Sequence, residues 1–587
     1  MEKLLSRSAP RRELLAVFGI WLVVSCWMAW KARMGVAERL FPDPDDAMRL
    51  TQVRDWLAGQ SWFDVTQYRL NAPAGGPMHW SRLVDVPVGA VIALARPFLS
   101  SFGAESAALI VVPLLTLGIA MLLVYRIASK LMDGSAAILA VLATPASLGA
   151  MKQMRVMRID HHGWQIVLAL IAVLALMDKR PRRAGLIAGA AMALWLNISI
   201  EGLPFAAAVG AWLALEWLLD PTMGARLKAY LGALAVASVA LFGLTHAPST
   251  WLAHPHDAIN DAHLAGFCAA WLCCLAAVRP DIADRWSRVG VLALAGVLTV
   301  GAAFLVDPDF LSGPFSSLDP LVKAYWYNGV DEGRPVWQLA PIDAAAGLAQ
   351  PLVGLAGALL AIWKAPAQRR EWIIFAYLLG AMTLSGVFVI REATYASVVS
   401  LPGTAFLCDF ALQRARKLSL MPIRVVATTA SVFIMAPAYA APALVLPSDP
   451  HLPQAIESAD NCIKHSELEK LDRLPVTNLG APLDITAAIL ANTHQRAIAG
   501  GYHRMPAAIR DVILLFMTSP DEGRTILARR HIDYLVFCPH TPESVWWSRH
   551  GPNGLAAMLN AGRTPDWLEP VDLHLRALRV WRVRKAA

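Results

Sequence analysis

Apolar blocks of roughly 17 to 22 residues recur along most of this chain, and each is long enough to cross ~30 Å of hydrocarbon as a helix. A water-soluble core has no use for so many blocks of that length, so a bilayer must be the solvent for most of them. Composition agrees. Of 587 residues, 56% are hydrophobic and 16% charged, against about 25% charged in an ordinary soluble protein. The net charge of +8 does not indicate nucleic acid as a partner, because the basic residues sit in short loops between apolar blocks, the pattern that reports orientation. The first block, Leu14 to Trp30, can span and is followed by no small-residue cleavage site, so it is not read as a cleaved leader.

The basic clusters define a topology. Lys3, Arg7, Arg11 and Arg12 precede the first block and place the N-terminus in the cytoplasm. Further clusters follow every second block: Arg126 and Lys130; Lys179, Arg180, Arg182 and Arg183; Arg226 and Lys228; Arg279, Arg285 and Arg288; Lys364, Arg369 and Arg370; Arg414, Arg416, Lys417 and Arg424. Spans fall near 13–31, 107–127, 134–151, 163–177, 184–199, 203–219, 228–245, 262–278, 288–306, 343–363, 372–390, 395–413 and 424–443. The expectation is an all-α polytopic membrane protein of about thirteen helices, residues 1–445, followed by a small α/β domain, residues 446–587, on the outer side. Val86 to Leu99 is apolar but contains Arg96 and Pro97, and reads as interfacial or as the start of a long second helix. An outer C-terminal domain would allow Cys462 and Cys538 to form a disulfide.

Three outer segments are long: about 35–85, 307–342 and everything after 444. Long ordered loops usually carry function, and these gather acids on one face. Phe41-Pro-Asp-Pro-Asp-Asp-Ala-Met-Arg49 supplies Asp43, Asp45 and Asp46. Their mutual repulsion calls for a cation or a helix N-terminus, and a helix cap is the plainer of the two. Met157-Arg-Ile-Asp-His-His-Gly163 supplies Asp160, His161 and His162 at a membrane boundary, and the nearby Lys152, Arg155 and Arg158 break the inside-positive pattern, as an anionic ligand such as a lipid phosphate would require. Glu201, Asp331, Glu332 and the segment Arg391-Glu-Ala-Thr-Tyr395 reach the same face. Carboxylates with an imidazole suit a hard divalent cation, Mg²⁺ or Mn²⁺.

Together these residues resemble the catalytic subunit of oligosaccharyltransferase, a membrane glycosyltransferase of the GT-C class with thirteen spans and an extracytoplasmic C-terminal domain. Asp43-Pro-Asp-Asp-Ala-Met-Arg49 is similar to the family's first acidic motif, and the family's metal-binding Asp maps to Asp43 or to Asp45 depending on register. Asp160-His161-His162 resembles the second acidic motif, Gly329-Val-Asp-Glu-Gly-Arg-Pro335 places Glu332 on the family's loop glutamate, and Arg391 falls where an Arg contacts the lipid phosphate. The resemblance covers about residues 10 to 445. It departs where the family reads its acceptor sequon: this chain has only Trp546-Trp547-Ser548, late in the C-terminal part.

The resemblance implies transfer of a sugar or oligosaccharide from a polyprenyl-(pyro)phosphate donor to a protein, glycan or lipid acceptor at the periplasmic face of a bacterial inner membrane. Asp43, Asp45, Asp160 and Glu332 would be catalytic. Asp43 or Asp45, with Asp160 and His162, would hold the metal. Arg391 and Arg158 would meet the donor phosphate, and Asp46, His161, Glu201, Tyr395, Tyr502 and Arg504 could touch substrate. Tyr502 and Arg504 follow Gly500-Gly501, a turn that lets backbone approach a ligand closely. The alternatives are a transferase using a polyprenyl-monophosphate monosaccharide, or a transporter of polyprenyl-linked glycans. A reporter active only outside the cytoplasm should give signal when fused after Leu446 and none after Arg183; the reverse would put every acid above on the cytoplasmic side.

Overall fold

The computed structural model describes residues 11–279, 282, 284–313, 315–316, 318–437 and 452–584. Lys3 and Arg7, the end of the thirteenth block and the boundary at 445 lie outside the described residues.

The apolar blocks are helices, among them Arg11–Ala37, Ser101–Leu131, His162–Leu176, Pro181–Ile198, Leu203–Leu219, Gly224–Thr245, Asp261–Ala277, Arg285–Val306, Pro341–Lys364 and Arg369–Phe388. Among the described residues, seven helices are long and apolar enough to cross a membrane unaided, and eight if Ile390–Val399 and Leu401–Ala415, bent by 55°, count as one. The chain is a helical membrane protein. Several of the thirteen blocks drawn from sequence fall short of that test for visible reasons. The block 134–151 breaks into Gly134–Leu142, a 3₁₀ turn Thr144–Ala146 and Leu148–Gln153, because Pro145 cannot continue a helical ladder. His162–Leu176 and Asp261–Ala277 are only 15 and 17 residues long. Val86 to Leu99 does not begin a long second helix. It forms its own helix, Asp85–Ala95, and Ser100 caps a new one by accepting the Gly103 N–H at 3.1 Å.

Helices pack where side chains are small. Gly185 and Gly189 lie one turn apart and face the Gly224–Thr245 helix, where a Cβ on either would collide with the carbonyl oxygens of Arg226 and Tyr230. Close backbone approach of this kind replaces the hydrophobic effect, which is absent between helices in lipid. The outer faces stay apolar and exposed, as at Trp286, Val297 and Leu305.

From Leu452 onward the chain folds helices around a five-stranded mixed sheet. Two strands of the segment 35–85, β1 (Thr66–Gln67) and β2 (Gly76–Pro77), form a separate antiparallel pair. The sheet contains β3 (Asn478–Gly480), β4 (Arg496–Ala497), β5 (Tyr534–Phe537), β6 (Leu568–Pro570) and β7 (Arg579–Val583), in the order β4-β3-β5-β7-β6. β3 runs parallel to β4 and β5, while β7 is antiparallel to β5 and β6. Cys462 and Cys538 are disulfide-bonded. The first loop docks on the β4 edge: Leu70 bridges to Ala497, and the Asn71 N–H donates to Ala497 and Ile498. Arg69 donates to the carbonyls of Leu490 and Thr493 at 2.8 Å each, and Arg54 reaches the carbonyl of Ala491. The C-terminal part is thus seated on the loop that carries Asp43, Asp45 and Asp46.

Gly189→Leu should separate the two helices. We expect loss of the monodisperse purified protein, or a large drop in melting temperature, whereas Ala at the exposed, unpacked Gly243 should change neither; equal behaviour of the two would refute the close-packing account.

Candidate active site and metal centre

The segment carrying Asp160 hangs from a helix defect. Pro113 lies inside Ser101–Leu131 and has no N–H to give the carbonyl four residues back. That carbonyl, Leu109, accepts the Met157 N–H at 2.7 Å. Met157 adopts φ +72°, a left-handed conformation costly for a side chain of its size. The turn is held further by Asp46, whose Oδ1 accepts the N–H groups of Ile159 and Asp160 at 2.9 Å each, while Oδ2 takes Arg158 at 3.0 Å.

Asp43 caps the helix Pro44–Leu57, accepting the Asp45 N–H at 3.0 Å with Pro44 at the first helical position. Its other oxygen meets Arg158 at 2.8 Å. Asp45 has neither use: among the described residues its carboxylate makes no hydrogen bond or ion pair. Burial, with the carboxylates of Asp43, Asp160 and Glu332, pushes it well above the usual carboxylate range. Asp160 behaves oppositely. Burial works against its charge, but His161, His162 and Arg49 hold it well below that range.

Asp160 Oδ1 accepts Arg49 at 3.2 Å and contacts His161 Nδ1 at 2.6 Å. Its Oδ2 is buried without a hydrogen bond, with His162 Nε2 3.3 Å away in poor hydrogen-bond geometry. His162 Nδ1 is engaged by Gln165 Oε1 at 2.8 Å and by Tyr395 OH at 2.7 Å. Donation from Nδ1 to Gln165 assigns the tautomer, leaving a lone pair on Nε2 beside the orphaned Oδ2. Ligand atoms of Asp160, His161 and His162 lie within 4.8 Å of one another. An orphaned buried carboxylate oxygen and an oriented imidazole fit a divalent cation, and Asp45, outside that trio, lies close enough for its charge to be felt by Asp160.

Glu332 comes in from the long loop after Arg285–Val306 to bond Arg391, which also holds Glu201 at 2.5 Å. The sequence neighbours Asp331 and Arg334 pair with each other at 3.0 Å, so Glu332 is not part of a local surface ion pair. Tyr395 links Gln165 at 2.6 Å to Glu201 at 3.3 Å. Among the described residues, Arg391 Nε is buried without a hydrogen-bond partner.

Some expected site residues serve the scaffold. Arg158 is spent on Asp43, Asp46 and Gln153, so it has little left for a phosphate, and Asp46 is fully engaged by Arg158 and backbone. Arg504 clamps Asp257 with two bonds of 2.7 Å and donates to the Met78 carbonyl at 3.0 Å, while His503 bonds the same Asp257. His79, Asp257 and His503 also bring ligand atoms within 4.8 Å of one another, but the Asp257 charge is already matched there. Tyr502 is buried, and its OH lies 3.4 Å from the Pro44 carbonyl, at the helix that bears the acids. Trp547 is a core residue stacked on Phe516 at 5.1 Å. Sequence reasoning missed Arg49, Asp85 and Gln165. Arg49 bonds Asp85 at 2.8 Å as well as Asp160, and its signal was its place on one helix face with Asp45 and Asp46, at the end of the acidic motif.

No protein-family model and no curated protein sequence matches the chain. Solved structures do. The apo form of the oligosaccharyltransferase from Archaeoglobus fulgidus superposes with TM-score 0.65 at 14% identity, over 92% of this chain and 72% of the other. The archaeal oligosaccharyltransferase AglB from the same organism, in complex with an inhibitory peptide and a dolichol-phosphate, gives 0.63 at 13% over the same shares. A complex with Zn and sulfate gives 0.56 at 13%, over 92% and 70%. The fold is therefore oligosaccharyltransferase-like, of the GT-C type.

Pro113→Ala restores the N–H that competes for the Leu109 carbonyl. Hydrogen exchange at residues 154–161 should rise by an order of magnitude or more, while exchange elsewhere in Ser101–Leu131 should not; unchanged exchange at 154–161 would show that the defect does not hold the turn.

Proposed function

We propose that this protein is a glycosyltransferase that moves a sugar or oligosaccharide from a polyprenyl-(pyro)phosphate donor to an acceptor at the outer face of the membrane. One observation carries the reading: four segments far apart in sequence bring Asp45, Asp160, Glu332 and Arg391 together, each with an unusual partner or none. The fold likeness supports it, since the archaeal enzyme of similar fold has been solved with dolichol-phosphate, with an inhibitory peptide, and with Zn and sulfate. The Cys462–Cys538 disulfide supports an oxidising compartment for the C-terminal part, consistent with a periplasmic domain of residues 446–587, a transmembrane domain of residues 1–445 and a bacterial inner membrane.

Asp45, Asp160 and His162 would hold Mg²⁺ or Mn²⁺, which when bound would offset charge on the departing phosphate. Of the two register choices, Asp45 suits this role and Asp43 does not, because Asp43 is committed to its cap and to Arg158. Arg391 offers the phosphate a guanidinium whose Nε is free, and Glu201 and Tyr395 fix its position. The acceptor nucleophile attacks C1 of the donor sugar, the C1–O bond to phosphate breaks with its electron pair going to the phosphate, and the anomeric configuration inverts. Glu332 orients the acceptor and can take its proton. An asparagine sequon is not proposed as the acceptor, because Trp547 is a core packing residue. A polyprenyl-monophosphate donor would use the same groups. A glycan transporter would place such charges mid-span, whereas these lie at the helix ends.

The test uses lipid-linked glycans that accumulate in a deletion strain. Glu332→Gln should lower turnover by roughly two or more orders of magnitude while donor affinity stays within about threefold. Near-normal turnover would remove Glu332 from the reaction. Asp160→Asn should lose both bound metal and turnover, and full activity in chelator-treated membranes would rule against a required metal.

A further inference from the structure

A cavity of about 200 Å³ opens beside His161. Its walls come from four places: the first outer loop around His79 and Trp80, the end of Pro181–Ile198 at Asn197, the segment 245–259, and Arg504 of the C-terminal part. Such a space holds on the order of ten waters, comparable to one pyranose ring.

Two buried polar atoms on these walls have no hydrogen-bond partner among the described residues. Trp80, 5% exposed, has an unbonded Nε1–H. Asn197, 3% exposed, spends its amide N–H on the Ala193 carbonyl at 2.8 Å and leaves Oδ1 unbonded. One is a donor and one an acceptor, and each costs free energy when buried unpaired. His79, facing the same space, makes no hydrogen bond among the described residues. The lining cation, Arg504, is neutralised by Asp257, so an anion would find its charge already spent. A neutral ligand with several hydroxyls, each able to donate and accept, answers all three groups, and Phe63 and Phe242 give its apolar faces a surface.

The cavity also lies in the right place. One end is His161, bonded to Asp160. Another wall is Ser199–Ile200, next to Glu201, which holds Arg391. We infer that this cavity receives the first sugar ring of the donor, with Trp80 and Asn197 as its specificity-determining contacts. The inference rests on the transferase reading above.

The experiment measures binding to purified full-length protein in nanodiscs, using bare undecaprenyl phosphate and the polyprenyl-linked glycan fraction from a deletion strain. Wild type should bind the glycan-bearing lipid more tightly. Trp80→Phe keeps a ring against Arg49 and Tyr502 but removes the N–H; Asn197→Leu keeps the branched shape in a larger side chain but removes the carbonyl. Each should weaken the glycan-bearing lipid roughly tenfold and leave the bare lipid within about twofold. Wild-type affinity of both variants for the glycan-bearing lipid would overturn the subsite. So would parallel loss of both lipids in both variants, which would make these residues structural. If wild-type protein binds neither lipid, the polyprenyl-donor reading itself fails, and the subsite with it.

Discussion

Three guanidiniums at the candidate site each bridge two carboxylates. Arg158 joins Asp43 to Asp46, Arg49 joins Asp85 to Asp160, and Arg391 joins Glu201 to Glu332. Arg82 adds a weaker contact to Asp85 at 3.4 Å. Buried charges persist only when paired and bonded, so this alternation is what allows so many acids to share one pocket. The pairing is incomplete. The Asp45 carboxylate has no guanidinium or hydrogen bond of its own among the described residues, and Asp160 Oδ2 is buried without a hydrogen-bond partner there. Divalent charge at that spot would complete the pattern, and the histidines beside it are already oriented.

The same bridges order the scaffold. Arg158 and Asp46 fix the turn 154–161 to the helix Pro44–Leu57, and Pro113 fixes it to Ser101–Leu131 through the Leu109 carbonyl. A proline in a membrane helix is tolerated when its orphaned carbonyl finds another donor, and here the donor belongs to the segment that carries the site. The defect and the site therefore depend on one another: the turn satisfies the carbonyl, and the carbonyl holds the strained Met157.

The helical membrane fold was legible because block length and basic-loop placement are local, additive signals. The number of crossings was less so. Pro145 breaks one block and the 55° bend at Ser400 divides another, and hydropathy averages over both. At the site, Asp45, Asp160, Glu332 and Arg391 could be singled out because acids and a lone cation at a membrane boundary are costly. Their division of labour could not. Whether Asp43 or Asp45 is uncommitted depends on a cap geometry and on an arginine more than a hundred residues away. The tie between Glu332 and Arg391 is likewise long-range, while the sequence neighbours Asp331 and Arg334 pair with each other.

The C-terminal part contributes to the site by holding its first loop. Arg54, Arg69 and Asn71 all bond to main chain between Leu490 and Ile498, and Tyr502 closes over the Pro44 carbonyl. The segment 307–342 is gripped from the same side, where Trp326 lies against Gly501 so closely that a Cβ there would meet its Nε1 at 3.0 Å. Gly501 is thus a packing requirement rather than a ligand-binding turn. The loop that delivers Asp45 and the loop that delivers Glu332 therefore share a support in the C-terminal part, in addition to their direct ties to the segments that carry Asp160 and Arg391. The assembled pocket is thus a property of the whole chain rather than of the helical bundle alone.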